Sequence, residues 1–213
     1  MTLRDLRASS DQQTSRHVSE ASYLAEFAEQ GYEWVGGELI KVPPVTLAHY
    51  YSNSHLWAYL TAYFNLRAIG QVFTQPFLLR MPAQGRNREP DLMVVLNANE
   101  QRIKETHIEG AADICIEIVS PESAERDYRV KFLEYESAGV VEYWLFNPDG
   151  EISSFYRLDE HGKYTRQFPD ENGNYSTPLL PGFVLPVERV WSKKAPDLAE
   201  IAAFVRALLK ESK

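Results

Sequence analysis

Among 213 residues there is a single cysteine, Cys115, so no intramolecular disulfide can form and a disulfide-stapled secreted design is excluded. Cys115 sits inside an apolar run and reads as a small buried hydrophobe. No apolar stretch reaches the roughly 18–20 residues that a membrane-spanning helix needs. The polar start Met1-Thr2-Leu3-Arg4-Asp5 lacks the apolar core of a secretory signal. The expectation is a cytoplasmic protein with no membrane partner. Positive charge is scarce as well: 22 Lys and Arg stand against 30 Asp and Glu, for a formal net charge of −8. That excludes a protein holding nucleic acid through a broadly basic surface. It does not exclude one whose carboxylates await a divalent metal. Internal repeats, low-complexity tracts and phosphate-cradling glycine motifs are all missing.

What remains is ordinary globular material, 44% apolar and 24% charged, of a length that suits one domain with a substantial core. Residues 1–17 read as a polar leader, 18–190 as the main domain, and 191–213 as an amphipathic helix packing on it. A short helix over 21–30 stops at Gly31. Gly36-Gly37 joins two strands into a hairpin, with Glu38 on the same face as Ile40 and Val42 and so expected to point inward. After Pro43-Pro44 a long helix is predicted over 46–68, with Leu47, Tyr51, Leu56, Leu60, Tyr63 and Phe64 at helical spacing. A strand over 72–79, a loop over 82–88 and a short helix over 97–104 follow. Strands are expected over 141–146, 152–158 and 164–168, and Asp197 with Glu200 forms a capping box for the last helix. This mixture predicts an α/β fold with a mixed central sheet flanked by helices.

The chemistry gathers around two apolar runs. Asp113-Ile114-Cys115-Ile116-Glu117-Ile118-Val119 holds a carboxylate in its middle, and Asp91 opens the run Leu92-Met93-Val94-Val95-Leu96. Unbroken aliphatic runs suit strands covered on both faces. An unpaired carboxylate there costs several kcal/mol, so Glu117 needs a cation or must stay protonated. The next helix supplies one. At about 100° per residue, Ala124, Tyr128, Phe132, Tyr135 and Ala138 form one apolar arc, and Lys131 falls within it while Asp127 and Glu134 fall outside. Two acids and one lysine leave one net negative charge. An oxygen-rich site of that kind suits Mg²⁺, with Mn²⁺ as substitute. Such a metal lowers the pKa of a bound water and polarises a phosphoryl oxygen.

Glu89-Pro90-Asp91, Glu117-Ile118-Val119-Ser120-Pro121, Lys131 and Ala138-Gly139-Val140-Val141-Glu142-Tyr143-Trp144 together resemble the Uma-type family of restriction endonucleases. That family belongs to the restriction-endonuclease-like, PD-(D/E)XK superfamily. Tyr32, Gly37-Glu38-Leu39, Pro44 and His49 fit its N-terminal pattern. The resemblance implies a restriction-endonuclease-like core with Asp91 and Glu117 as metal ligands, Lys131 as the catalytic lysine displaced to the following helix, and Glu38 as an additional acid. It also implies an endonuclease hydrolysing phosphodiester bonds, with DNA as substrate. The slot two residues after Glu117, where the superfamily's lysine stands, is Val119. A homodimer is expected, since two sites about a twofold axis cut both strands of a duplex. The competing reading is a catalytically silent nucleic-acid or protein-binding module on the same fold. His49 reads as structural, and Ser120 as a helix cap rather than a nucleophile.

Overall fold

A computed structural model describes residues 17–28, 30–41 and 44–211. Apart from His17 the expected leader lies outside them, as does Pro43. The chain forms two compact units, residues 1–42 and 43–213. In the first, α1 (Glu20–Glu26) starts at Ser19, whose side chain accepts from Ser22 N. It ends earlier than expected, and a hairpin of β1 (Tyr32–Val35) and β2 (Glu38–Lys41) follows. Gly36 and Gly37 turn it at φ 57° and 101°, and Val35 pairs with Glu38. Glu38 is exposed rather than turned inward; the buried acid of this hairpin is Glu33.

The second unit opens with α2 (Leu47–Leu66), capped by Thr46, whose hydroxyl accepts from His49 N. Leu47, assigned to the apolar face by spacing, is 66% exposed because it lies in the first turn, ahead of the packed stretch. The single strand expected over 72–79 is two, β3 (Gly70–Thr74) and β4 (Leu78–Met81), interrupted by a turn at Gln75-Pro76. The expected loop contains a 3-10 turn, Pro82–Gln84, and β5 (Arg86–Arg88). Then come β6 (Leu92–Leu96), a 3-10 turn Asn97–Arg102, β7 (His107–Glu109) and β8 (Ile114–Ile118). A π-helical turn, Arg126–Lys131, runs into α3 (Phe132–Ala138), which Gly139 ends at φ 84°. The remainder is β9 (Glu142–Asn147), β10 (Ile152–Leu158), β11 (Tyr164–Gln167), β12 (Asn174–Tyr175), β13 (Leu185–Pro186), α4 (Val187–Val190) and α5 (Leu198–Glu211). Asp197 caps α5 through Ala199 N and Glu200 N, but Glu200 pairs with Arg189 at 3.2 Å instead of closing a capping box. Among the described residues no helix is long and apolar enough to cross a membrane.

A six-stranded mixed sheet, in the order β11-β10-β9-β8-β6-β3, organises this unit; β8 and β9 run parallel and the other pairs antiparallel. Alternation along the strands sends Leu92, Val94, Ile114, Ile116, Trp144 and Phe146 to one face, against Leu56, Leu60 and Tyr63 of α2 and Ile201, Val205 and Leu209 of α5. The odd-numbered residues Met93, Val95, Cys115, Tyr143 and Leu145 meet Tyr135 of α3 and Leu79, Met81 and Ile108 of β4 and β7. Both faces are therefore covered, which is why the strands read as continuous aliphatic runs. Burial, reinforced by the Glu117 carboxylate, pushes the Cys115 thiol well above its ordinary pKa, so the lone cysteine stays an unreactive thiol. At Gly70 a Cβ would lie 2.7 Å from Val95 O, so the β3 edge closes on β6 only with glycine there.

One charge in the core is structural. Glu142, fully buried, accepts from Trp144 Nε1 at 2.7 Å, Arg157 Nε at 2.6 Å, Tyr175 OH at 3.1 Å and Thr177 Oγ1 at 2.5 Å. It fastens β9 to β10 and to the 175–177 segment. Glu142→Gln keeps the shape but turns one oxygen into a donor facing donors. The expected loss is about 3 kcal/mol, the range for breaking a buried, hydrogen-bonded charge. Thermal melts should show a drop of roughly 6–12 °C for a chain this size; an unchanged melt would contradict the assignment.

Candidate metal and catalytic site

Sheet register brings the two sequence-predicted acids together. β6 pairs β8 with Leu92 opposite Ile116 and Met93 opposite Cys115, and one step further along the same register lies Asp91 opposite Glu117. On the other side β3 pairs Thr74 with Leu92, so the next step sets Gln75 opposite Asp91. Directly opposed residues of antiparallel strands have Cβ atoms about 4.5–5.5 Å apart, and like charges there repel unless something holds them. Here the holding groups are specific. Asp91 Oδ2 accepts from Ile118 N at 2.6 Å, and Oδ1 lies 3.1 Å from His49 Nε2 and accepts from the Gln75 amide. Glu117 Oε1 accepts from Tyr135 OH at 2.8 Å, and Lys131 Nζ lies 2.8 Å from Oε2. Asp91, Glu117 and Lys131 are each 3% exposed.

Lys131 has a second partner on its own turn. Its Nζ is also 3.3 Å from Asp127 Oδ1, and Asp127 is 1% exposed. The 100° wheel put Asp127 just beyond the edge of the apolar arc. Four residues apart, Asp127 and Lys131 nevertheless share one helix face. Tyr143 OH donates to Asp127 O at 3.0 Å, and burial, with Glu117 and Asp127 adding to it, pushes that hydroxyl well above its ordinary pKa and keeps it a donor. With Asp127 counted, the formal charge of the cluster is one unit more negative than the two acids and the lysine alone give.

A second buried pair anchors α3. Arg88, fully buried, donates from Nε to Glu134 Oε2 and from Nη2 to Glu134 Oε1, both at 2.9 Å, and Arg86 Nε adds a contact at 2.8 Å to Oε1. This fork ties β5 to the helix carrying Lys131. The sequence did not show it, because residues 82–88 read as a loop and helix angle alone directed Glu134 to solvent. His49, read as structural, touches Asp91. Glu38 is exposed on β2 of the first unit.

The donor set fits a hard divalent cation. Two carboxylates side by side offer oxygen only, each ionised carboxylate has about four acceptor sites, and Mg²⁺ takes one or two carboxylates and completes its shell with water and substrate. Among the described residues no group of three His, Cys, Asp or Glu is arranged as a metal cage, so a closed all-protein cage is not what the site offers.

No curated protein matches the chain. Among solved structures, a putative nuclease belonging to DUF820 from Anabaena variabilis superimposes with a TM-score of 0.63 at 19% identity, covering 76% of this chain and 90% of that one. At that identity the likeness establishes the fold. The profile of the Uma2 family, described as putative restriction endonuclease, matches residues 19–188, and on that match the chain belongs to the Uma2 family.

Proposed function

We propose that this protein is a Mg²⁺-dependent endonuclease acting on phosphodiester bonds in DNA, assembled as a homodimer. One observation carries the reading: two carboxylates from adjacent strands, Asp91 and Glu117, stand opposite each other with Lys131 Nζ 2.8 Å from the second. A stable fold gains nothing from opposing two buried acids, whereas a metal-dependent hydrolase needs that pair. Membership of the Uma2 family and the nuclease-like fold support the same reading.

Asp91 and Glu117 would hold Mg²⁺, which when bound lowers the pKa of a water and polarises the phosphoryl oxygen. The chain's own residues do the positioning. The Ile118 amide and His49 fix the Asp91 carboxylate, and Tyr135 fixes Glu117. Lys131, clamped by Glu117 and Asp127, presents a compact positive charge beside the acids. That charge can stabilise negative charge developing on the phosphoryl group. Covered sheet faces exclude bulk water, which strengthens these interactions. The silent-module reading draws on the acidic balance, net −8. It predicts metal binding weak or absent and no cleavage of any nucleic acid.

Asp91→Asn and Glu117→Gln should each abolish Mn²⁺ binding in isothermal titration. The two differ in stability because Lys131 contacts Glu117. Glu117→Gln should cost about 2–3 kcal/mol, since it removes one partner of a buried pair while Asp127 remains for the lysine. Unchanged metal affinity in both variants would rule out the site. Glu38→Gln in the same titration reads whether that exposed acid contributes.

Lys131 tests turnover. Lys131→Met alone strands two buried acids, so Lys131→Met/Asp127→Asn is the cleaner variant. It should keep the fold and bind Mn²⁺ at least as well as wild type, while cleavage of plasmid DNA falls by about 10²–10³-fold, the effect of losing one preorganised charge. Equal cleavage rates would show that Lys131 plays no part in the chemistry.

A further inference from the structure

The N-terminal half of α2 carries a second feature that neither the metal site nor the core uses. A cavity of about 440 Å³ opens on this helix, lined by Tyr50, Asn53, Ser54 and Trp57, by Thr74 at the end of β3, and by the 195–196 turn with Leu198. At about 100° per residue Tyr50, Asn53, Ser54 and Trp57 share one helix face. Leu56, Leu60 and Tyr63, which pack in the core, lie on the adjoining face. Tyr50 is 54% exposed and Trp57 40% exposed, so both rings reach solvent at the cavity.

Two links join this cavity to the acids. Thr74, in its wall, donates its hydroxyl to Asp91 O at 3.1 Å. His49, whose Nε2 lies 3.1 Å from Asp91 Oδ1, immediately precedes Tyr50 on α2. The opposite wall is anchored too. His55 Nε2 is 2.9 Å from Lys194 O, and Ser52 Oγ donates to Val190 O at 3.1 Å. The segment so held presents Lys193 and Lys194, both exposed, directly before the cavity-lining 195–196 turn. In a chain of net charge −8, these two lysines offer adjacent positive charges next in sequence to the cavity wall.

We propose that this cavity seats one unstacked nucleobase of the bound strand, with a backbone phosphate on Lys193 and Lys194, beside the phosphodiester presented at Asp91. This rests on the nuclease reading for its ligand class. Aromatic faces take any base by stacking, and Asn53, whose Oδ1 is buried without a hydrogen-bond partner, supplies an amide for a base edge. The Ser54 and Thr74 hydroxyls already donate to Tyr50 O and Asp91 O and are left as acceptors. A purely apolar partner would leave the Asn53 amide and the lysine pair unused. A base paired within a duplex does not offer its faces, so the site favours a single-stranded or locally opened segment.

The test is fluorescence anisotropy on the full chain, with 5′-labelled single-stranded DNA of about 12 nucleotides, its RNA counterpart and the matching duplex. Ca²⁺ replaces Mg²⁺ throughout. Tyr50→Ala and Trp57→Ala should each weaken single-strand binding about tenfold, with unchanged melting temperature and unchanged Mn²⁺ isotherm, and Trp57→Phe should restore most of the loss. Lys193→Gln and Lys194→Gln should each lower the slope of log K against log salt by about one. Wild-type affinity in both alanine variants overturns the proposal, as does a wild type that binds no strand. A sedimentation mass that falls on Trp57→Ala also overturns it, making this face a contact between copies. If the variants lose binding yet wild type cleaves nothing, the base seat stands and the nuclease reading falls. If wild type cleaves and the variants bind normally, the nuclease reading stands alone.

Discussion

The opposition of Asp91 and Glu117 across adjacent strands is the constraint on which the rest of this unit turns. Two buried like charges in direct register are unfavourable, and everything around them compensates. An amide and an imidazole reach Asp91, and a phenol and an ammonium reach Glu117. The helix bearing that ammonium must be fixed in turn, which the Arg88–Glu134 fork does from β5. The site is thus built outward from one pair of acids, each layer existing because the layer inside it carries charge.

Much of this was readable from the chain. Aliphatic runs broken by Glu117 and opened by Asp91 identified central strands, and a lysine on an apolar arc identified their counter-charge. What sequence could not supply was register: nothing in the residues themselves says that 91 faces 117 rather than 116 or 118. The partners of the acids were hidden for different reasons. Gln75 falls in a turn that breaks an apparently continuous strand. Asp127 looked exposed because it falls just outside the apolar arc of its helix. Arg88 and Glu134 are distant in sequence and each is ordinary alone.

Glu142 is a buried acid of a different kind. It stands in the segment that carries the family resemblance, where an acid invites a catalytic reading, yet its four donors come from β9, β10 and the 175–177 segment and leave it a fastener. Burial and partners separate the two kinds of acid where residue type does not. Glu142 is met on every side by donors from the core, while Asp91 and Glu117, each with donors of its own, stand in register opposite one another.

The π-helical turn over Arg126–Lys131 also has a bearing on how this region can change. Such a turn is what an α-helix becomes when one residue is inserted and the fold absorbs it locally. Deleting any one residue there would let the ordinary i→i+4 ladder re-form at little cost to the helix. The flanking helix faces would keep their register, but a deletion between Asp127 and Lys131 would alter the four-residue spacing on which their 3.3 Å contact rests. The segment is therefore tolerant of substitution at its exposed positions, such as Val130, while the interval from Asp127 to Lys131 is held by the ion pair.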